Sequence, residues 1–205
     1  MATNIAQKRA RKEKQRKLAA AARRRAEAFE ASLAGKVHRA SRLPILHCLL
    51  TKSLFDDGMG TLVLARGSAS YDVALAAFLL DPLCLGIKDV TFQRMTGSGF
   101  ETYLEITNMA SPLETVEPSY ARKLLRELAA WARSIGLPPP PDFPVVEGSF
   151  GDVDAGACDV AFKFGQDGRP FYIPGPMESP SLVRNRVEQL RRRLGDGGFD
   201  VEMPM

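Results

Sequence analysis

Nowhere does the chain hold the ~18 consecutive apolar residues that a membrane-spanning helix needs, and its basic opening segment is not followed by the apolar core of a secretory signal. That segment is rich in Lys and poor in Ser, unlike a mitochondrial presequence. Cys48, Cys84 and Cys158 are odd in number, far apart and set among apolar neighbours. They read as buried free thiols in a reducing compartment, so a cytoplasmic location is expected. His38 and His47 are the only histidines. Without C-x-x-C or H-x-x-x-H spacing they predict no zinc site. "DVDAGACD" (Asp152–Asp159) opens like a calcium loop, but Gly156 and Lys163 stand where the fifth and twelfth ligands belong. No metal is therefore expected. The dinucleotide, Walker and G-x-S-x-G patterns are also missing, so no cofactor is expected either.

What is present is a division of charge. Met1–Arg42 carries 13 Lys/Arg against 3 acids, while Leu43–Met205 carries 15 against 21. A basic arm on a mildly acidic body suits a chain that meets a polyanion through one end. The centre of the arm is "QKRARKEKQRKLAAAARRR" (Gln7–Arg25), with ten basic residues between Lys8 and Arg25 and one acid, Glu13. Ala, Lys, Arg, Gln and Glu predict a helix from Ile5 to Leu33, stopping near Gly35 and about 45 Å long at 1.5 Å per residue. Leu18 is the only large apolar residue between Ala6 and Ala28, so no stripe packs the helix down. Like charges at helical spacing (Lys8, Arg11 and Lys12; Lys14 and Lys17) oppose one another until an external anion arrives.

A nucleic-acid backbone rewards such a row, because each neutralised phosphate releases a condensed counterion. The candidate RNA-binding residues are Lys8, Arg9, Arg11, Lys12, Lys14, Arg16, Lys17, Arg23, Arg24 and Arg25. With no aromatic before Phe29, contact is expected with phosphates rather than bases, and sequence preference should be weak. A membrane surface would require a second, apolar face, which is lacking. Two other readings remain: a solvated tail that aids solubility, and an adaptor that grips an acidic protein.

"MATNIAQKRARKEKQRK" is similar to the opening of the small-subunit ribosomal protein built as a bundle of long helices, which begins with Asn-Ile followed by Lys-Arg-Ala-Arg. The likeness covers this segment and little more. It implies ribosomal RNA as the polyanion.

The body, from Leu43 to Met205, reads as one α+β domain in which antiparallel hairpins pack against two amphipathic helices. "ILHCLL" (Ile45–Leu50) fits a buried strand or a helix end. Thr61–Ala65 and Tyr71–Leu80 form a hairpin across Gly67–Ser70, although "ALAAFLL" also fits a helix. Ile87–Met95 and Glu101–Ile106 are expected strands, joined by a turn at Gly97-Ser98-Gly99. After Pro118, Ala121, Leu124, Leu125, Leu128, Trp131, Ala132 and Ile135 share one helical face. Pro138–Pro141 forms a stiff connection or an SH3-type ligand. Asp159–Ile173 is expected to be a hairpin turning at Asp167-Gly168. A last helix starts at the Ser179 cap, with Val183, Val187, Leu190 and Leu194 inward and Gly195 as its stop, and "FDVEM" is a short final strand.

Two further groups carry chemistry. Arg184, Arg186, Arg191, Arg192 and Arg193 form a secondary basic patch expected to face solvent, for phosphate contact or for capping the helix dipole. "FLLDPLCLGIKD" (Phe78–Asp89) offers the enzyme alternative, a hydrolase with Cys84 as nucleophile, His47 as base and Asp81, Lys88 and Asp89 nearby. A cysteine between two leucines is also an ordinary core residue. This stretch, with "FGQDGRPFYIPGP", resembles a bacterial protein family without an assigned reaction, some of whose members end in a cysteine-rich SEC-C metal-binding tail. "FDVEMPM" supplies no such tail, so the resemblance implies no zinc function.

Overall fold

Ser32 divides the first forty residues into two helices. A computed structural model describes residues 2–68 and 72–202, with side chains from Lys14 onward. Helix α1 (Ala2–Ala31) takes in the expected Ile5–Leu33 helix except for its last two residues. At Ser32 the backbone becomes extended (φ −71°, ψ 163°), and the hydroxyl accepts the Gly35 N–H to cap α2 (Leu33–Ala40). Gly35, the expected stop, therefore lies inside the second helix. A Cβ there would sit 2.0 Å from the Phe29 carbonyl oxygen, so only glycine permits α2 to fold back against the last turn of α1. The inward side of α2 places Val37 and Ala40 in the core.

Five strands follow in a meandering sheet: β1 (Ile45–Thr51), β2 (Gly60–Ser68), β3 (Asp72–Asp81), β4 (Gly86–Met95) and β5 (Leu113–Thr115). Their spatial order is β4-β3-β2-β1-β5, all neighbours antiparallel. The short helix α3 (Leu54–Asp57) joins β1 to β2. The expected hairpin is β2–β3, in register from Gly60↔Leu80 to Ser68↔Asp72, and residues 69–71 of its turn lie outside the described residues. "ALAAFLL" is strand rather than helix. Both faces of β3 are covered at Val73–Ala76, and a strand buried on both sides reads as a continuous apolar run.

The second cover corrects the sequence reading. Gly97–Ala110 is a helix, α4, where a Gly-Ser-Gly turn and a strand were expected. Thr96 accepts the Gly99 N–H at 3.2 Å and so starts a helix. Phe100, Tyr103 and Leu104 then fall at three-four spacing over Val63, Ala65, Val73 and Leu75. On the opposite face lies α5 (Pro118–Ser134), whose Ala121, Leu124, Leu125 and Leu128 pack on Cys48, Leu50, Leu62, Leu64 and Phe78. Each fully buried leucine contributes about 1.5–3 kcal/mol. The proline run then leads to α6 (Phe143–Glu147), which closes this layer with Val146 and Phe150.

The C-terminal part packs on the end of α5. Helix α7 (Pro180–Leu194) begins at the Ser179 cap and sets Leu190 against Cys84, Leu85, Ala132 and Tyr172. The expected Asp159–Ile173 hairpin shrinks to its turn. Asp167 (φ 54°) and Gly168 (φ 82°) reverse the chain, and Gln166 bridges Arg169, but no paired strands flank them. The Gly165 and Phe171 N–H groups instead donate to the Pro82 and Leu83 carbonyls. Phe171–Tyr172 (β6) then pairs in parallel with Asp200–Val201 (β7), the short final strand. Among the described residues no helix is long and apolar enough to cross a membrane.

Candidate nucleic-acid interface

From Lys14 to Ala31, every residue of α1 faces solvent, including Leu18 (61% exposed) and Phe29 (47%). A helix that is polar all round has no face to bury, so propensity and local pairs hold it. Lys14, Arg16, Arg24 and Arg25 make no ion pair or side-chain hydrogen bond with any described residue, and Arg23 donates only to Glu27 of its own helix at 2.8 Å. No ion pair joins any of these five to a carboxylate of the body. The side chains of Lys8, Arg9, Arg11 and Lys12 lie outside the described residues.

The body meets the end of α1. Glu30 pairs with Arg39 of α2, and the Phe29 ring meets His38 edge-on at 6.3 Å. Beyond Ser32 the basic row continues as Lys36 and Arg39 on α2 and Arg42 just past its end, all exposed. These were not among the sequence candidates, although the three-residue spacing of Lys36 and Arg39 places both along one helical side.

The secondary patch is largely engaged at home. Arg191 pairs with Asp196 and Glu188, Arg192 pairs with Glu188, and Arg193 donates to the Ser134 carbonyl at the end of α5. Arg184 is exposed. Arg186 does not point outward as expected. It lies one turn before buried Leu190, pairs with Glu178, and sits 5.9 Å from the centre of the Tyr172 ring.

Of the enzyme alternative, Asp81, Cys84 and Lys88 lie near one another, but His47 is not with them. Cys84 is fully buried beside Leu85, Ala132, Tyr172 and Leu190, and burial, then the Asp81 charge, push its thiol far above the usual range. A thiolate there is strongly disfavoured. Asp81 accepts the backbone N–H groups of Leu83 and Cys84 at 3.0 and 2.8 Å and so shapes the β3–β4 turn. Its carboxyl is raised by burial against the pull of those N–H groups. Asp89 is exposed, and His47 lies on the α4 side of the sheet, 5.5 Å from the Phe100 ring centre. Cys48 is likewise core, its thiol pushed up to about 12 by burial and by Glu117.

Lys88 turns instead toward a buried cluster. Its ammonium lies 3.3 Å from Glu178, which also pairs with Arg186 and accepts from the Tyr172 hydroxyl. Burial raises the Glu178 carboxyl, but Tyr172, Arg186 and Lys88 outweigh it and leave it below the usual range. Tyr172 is pushed up to about 12 by burial and by that same carboxylate. A carboxylate held ionised by three donors is a poor proton acceptor and a good clamp, here tying α7 to β4. Among the described residues no three His, Cys, Asp or Glu side chains are placed to hold a metal ion.

Comparison with family models, with curated proteins and with solved structures gives no match, and the functional reading rests on this geometry.

Proposed function

We propose that this chain is a non-enzymatic RNA- or ribosome-associated protein of the cytoplasm that holds phosphate backbone through α1. The observation that carries the reading is the exposure of α1 from Lys14 to Ala31, together with the lack of a described partner for Lys14, Arg16, Arg24 and Arg25. A helix that leaves Lys14, Arg16, Arg24 and Arg25 without a partner among the described residues gains most from an external polyanion. Each phosphate neutralised on a single strand contributes about −0.7 to the slope of log affinity against log salt. Ribosomal RNA is the partner that the resemblance of the opening residues implies. The acidic body turns away from the RNA or meets a protein.

The test is sedimentation of the native chain from a cell extract through a sucrose gradient. It should travel with large particles and return to the top after nuclease treatment. A full-length variant with Lys14, Arg16, Arg24 and Arg25 changed to Gln should stay near the top throughout. Substitution is preferable to truncation at Leu43, which would remove Val37 and Ala40 from the core. A native chain that stays at the top before and after nuclease overturns the reading. A shift that survives nuclease transfers the arm to an acidic protein partner.

A further inference from the structure

Where α1 ends, the basic surface turns into a cleft of about 310 Å³ between α2 and the sheet. One wall carries Lys36, Arg39 and Arg42, and the other carries Arg94 of β4. The floor is Ala40, Leu43 and Ala74, which offer no charged side chain.

Sheet register explains the convergence. Ala74 of β3 stands opposite Arg66 on one side and Arg94 on the other, so all three share a row and a face. Alanine between two arginines leaves room that a larger side chain would fill. Arg66 is 7% exposed. It donates to the carbonyls of Leu43 and Phe150 at 2.5 and 2.6 Å, and its Nε has no partner. It adds a fixed positive charge beside the cleft floor, with Asp152 as the acid facing it.

The acids at the rim do not close the cleft. Arg39 pairs with Glu30 and Arg94 with Asp72, and all four side chains are 42–50% exposed. Such surface pairs are weak and exchange readily. A guanidinium has five N–H donors, and one carboxylate engages two at most. Lys36 has no acidic partner among the described residues, and Arg42 meets only the His38 ring, at 2.9 Å. Converging guanidinium and ammonium groups around an uncharged floor suit a tetrahedral oxyanion with several acceptors.

We infer that the cleft between α2 and the Arg94 end of β4 is a phosphate-binding subsite that takes RNA backbone arriving from α1. The inference rests on the reading of α1 as an RNA-binding helix. The Glu30–Arg39 pair fixes the continuity, since it joins the last turn of the arm to a wall of the cleft. Phosphate sits among Lys36, Arg39, Arg42 and Arg94, and ribose or base covers Leu43 and Ala74.

The test uses the full chain and a fluorescently labelled single-stranded RNA, with affinity measured across a salt series. Lys36→Gln/Arg42→Gln removes two exposed cations without touching the core. It should weaken binding about 5- to 50-fold and make the log–log salt slope shallower by about 1.4, two contacts at 0.7 each. In the native chain, RNA should also slow acetylation of Lys36 by an amine reagent. Native-like affinity and slope in this variant, with Lys36 acetylated equally fast with and without RNA, overturns the subsite while α1 keeps its role. Failure of the native chain to bind overturns the α1 reading, and the subsite with it.

Discussion

Arg24 in α1 stands in solvent without a described partner, whereas Arg122 in α5 gives its donors to Glu147 and to the carbonyls of Gly151 and Val153. Both are arginines on regular helices. The difference lies in their neighbours. Around Arg122, Ala121, Leu124 and Leu125 pull α5 onto the sheet, and the guanidinium follows into a half-buried place where each donor must be met. Around Arg24 lie alanines and more arginine, so nothing draws the helix inward. Half-buried Arg122 holds this molecule together, while Arg16, Arg24 and Arg25 have no partner among the described residues and are available to hold something else.

Substitution on the buried side should break that comparison most severely. Arg122→Ala leaves Glu147 facing only Arg126 and strands two carbonyls. It should cost about 3 kcal/mol of stability in denaturant unfolding, with RNA affinity of the folded protein unchanged. Next comes Asp81→Ala, which removes the acceptor for two backbone N–H groups and should cost about 2 kcal/mol. Asp81→Asn should cost less, because it keeps an acceptor and removes a buried charge.

The acid limb of stability gives a third, smaller effect. The folded carboxyl of Glu147 lies below its usual range: burial raises it, but hydrogen bonds from Arg122 and Arg126 outweigh that. Glu178 behaves alike through Tyr172, Arg186 and Lys88. For a depressed carboxyl the stabilisation is complete above the unfolded value and is lost as pH falls through the folded one. Unfolding followed from neutral pH downward should therefore show stability dropping below the ordinary glutamate range, and Glu147→Gln should flatten that drop. Asp81, raised by burial, acts with the opposite sign and partly masks it. The smallest effect belongs to the arm. Arg24→Ala and Arg25→Ala should each change unfolding stability by no more than about 0.5 kcal/mol.

Much of this was legible in the sequence, for local reasons. The three-four spacing in α5 and α7 and the Ser179 cap are signals carried within one turn of helix. The arm shows itself through charge density alone. Glu101–Ile106 misled because Thr102, Tyr103 and Ile106 suit a strand by type, while Phe100, just outside the segment, is what puts Tyr103 and Leu104 on one helical side, and Thr96, which decides between them, precedes the glycines. The 160s hairpin failed for a tertiary reason, since its donors serve the Pro82 and Leu83 carbonyls. Arg94 entered no candidate list because only sheet register brings it beside Ala74 and across from α2.

Salt dependence of RNA binding, compared between the native chain and the full-length Lys14/Arg16/Arg24/Arg25→Gln variant, tests the central claim most directly. If those groups meet phosphates, the native log–log slope should be steeper by up to about 2.8, four contacts at 0.7 each. Equal slopes for the two proteins would contradict it.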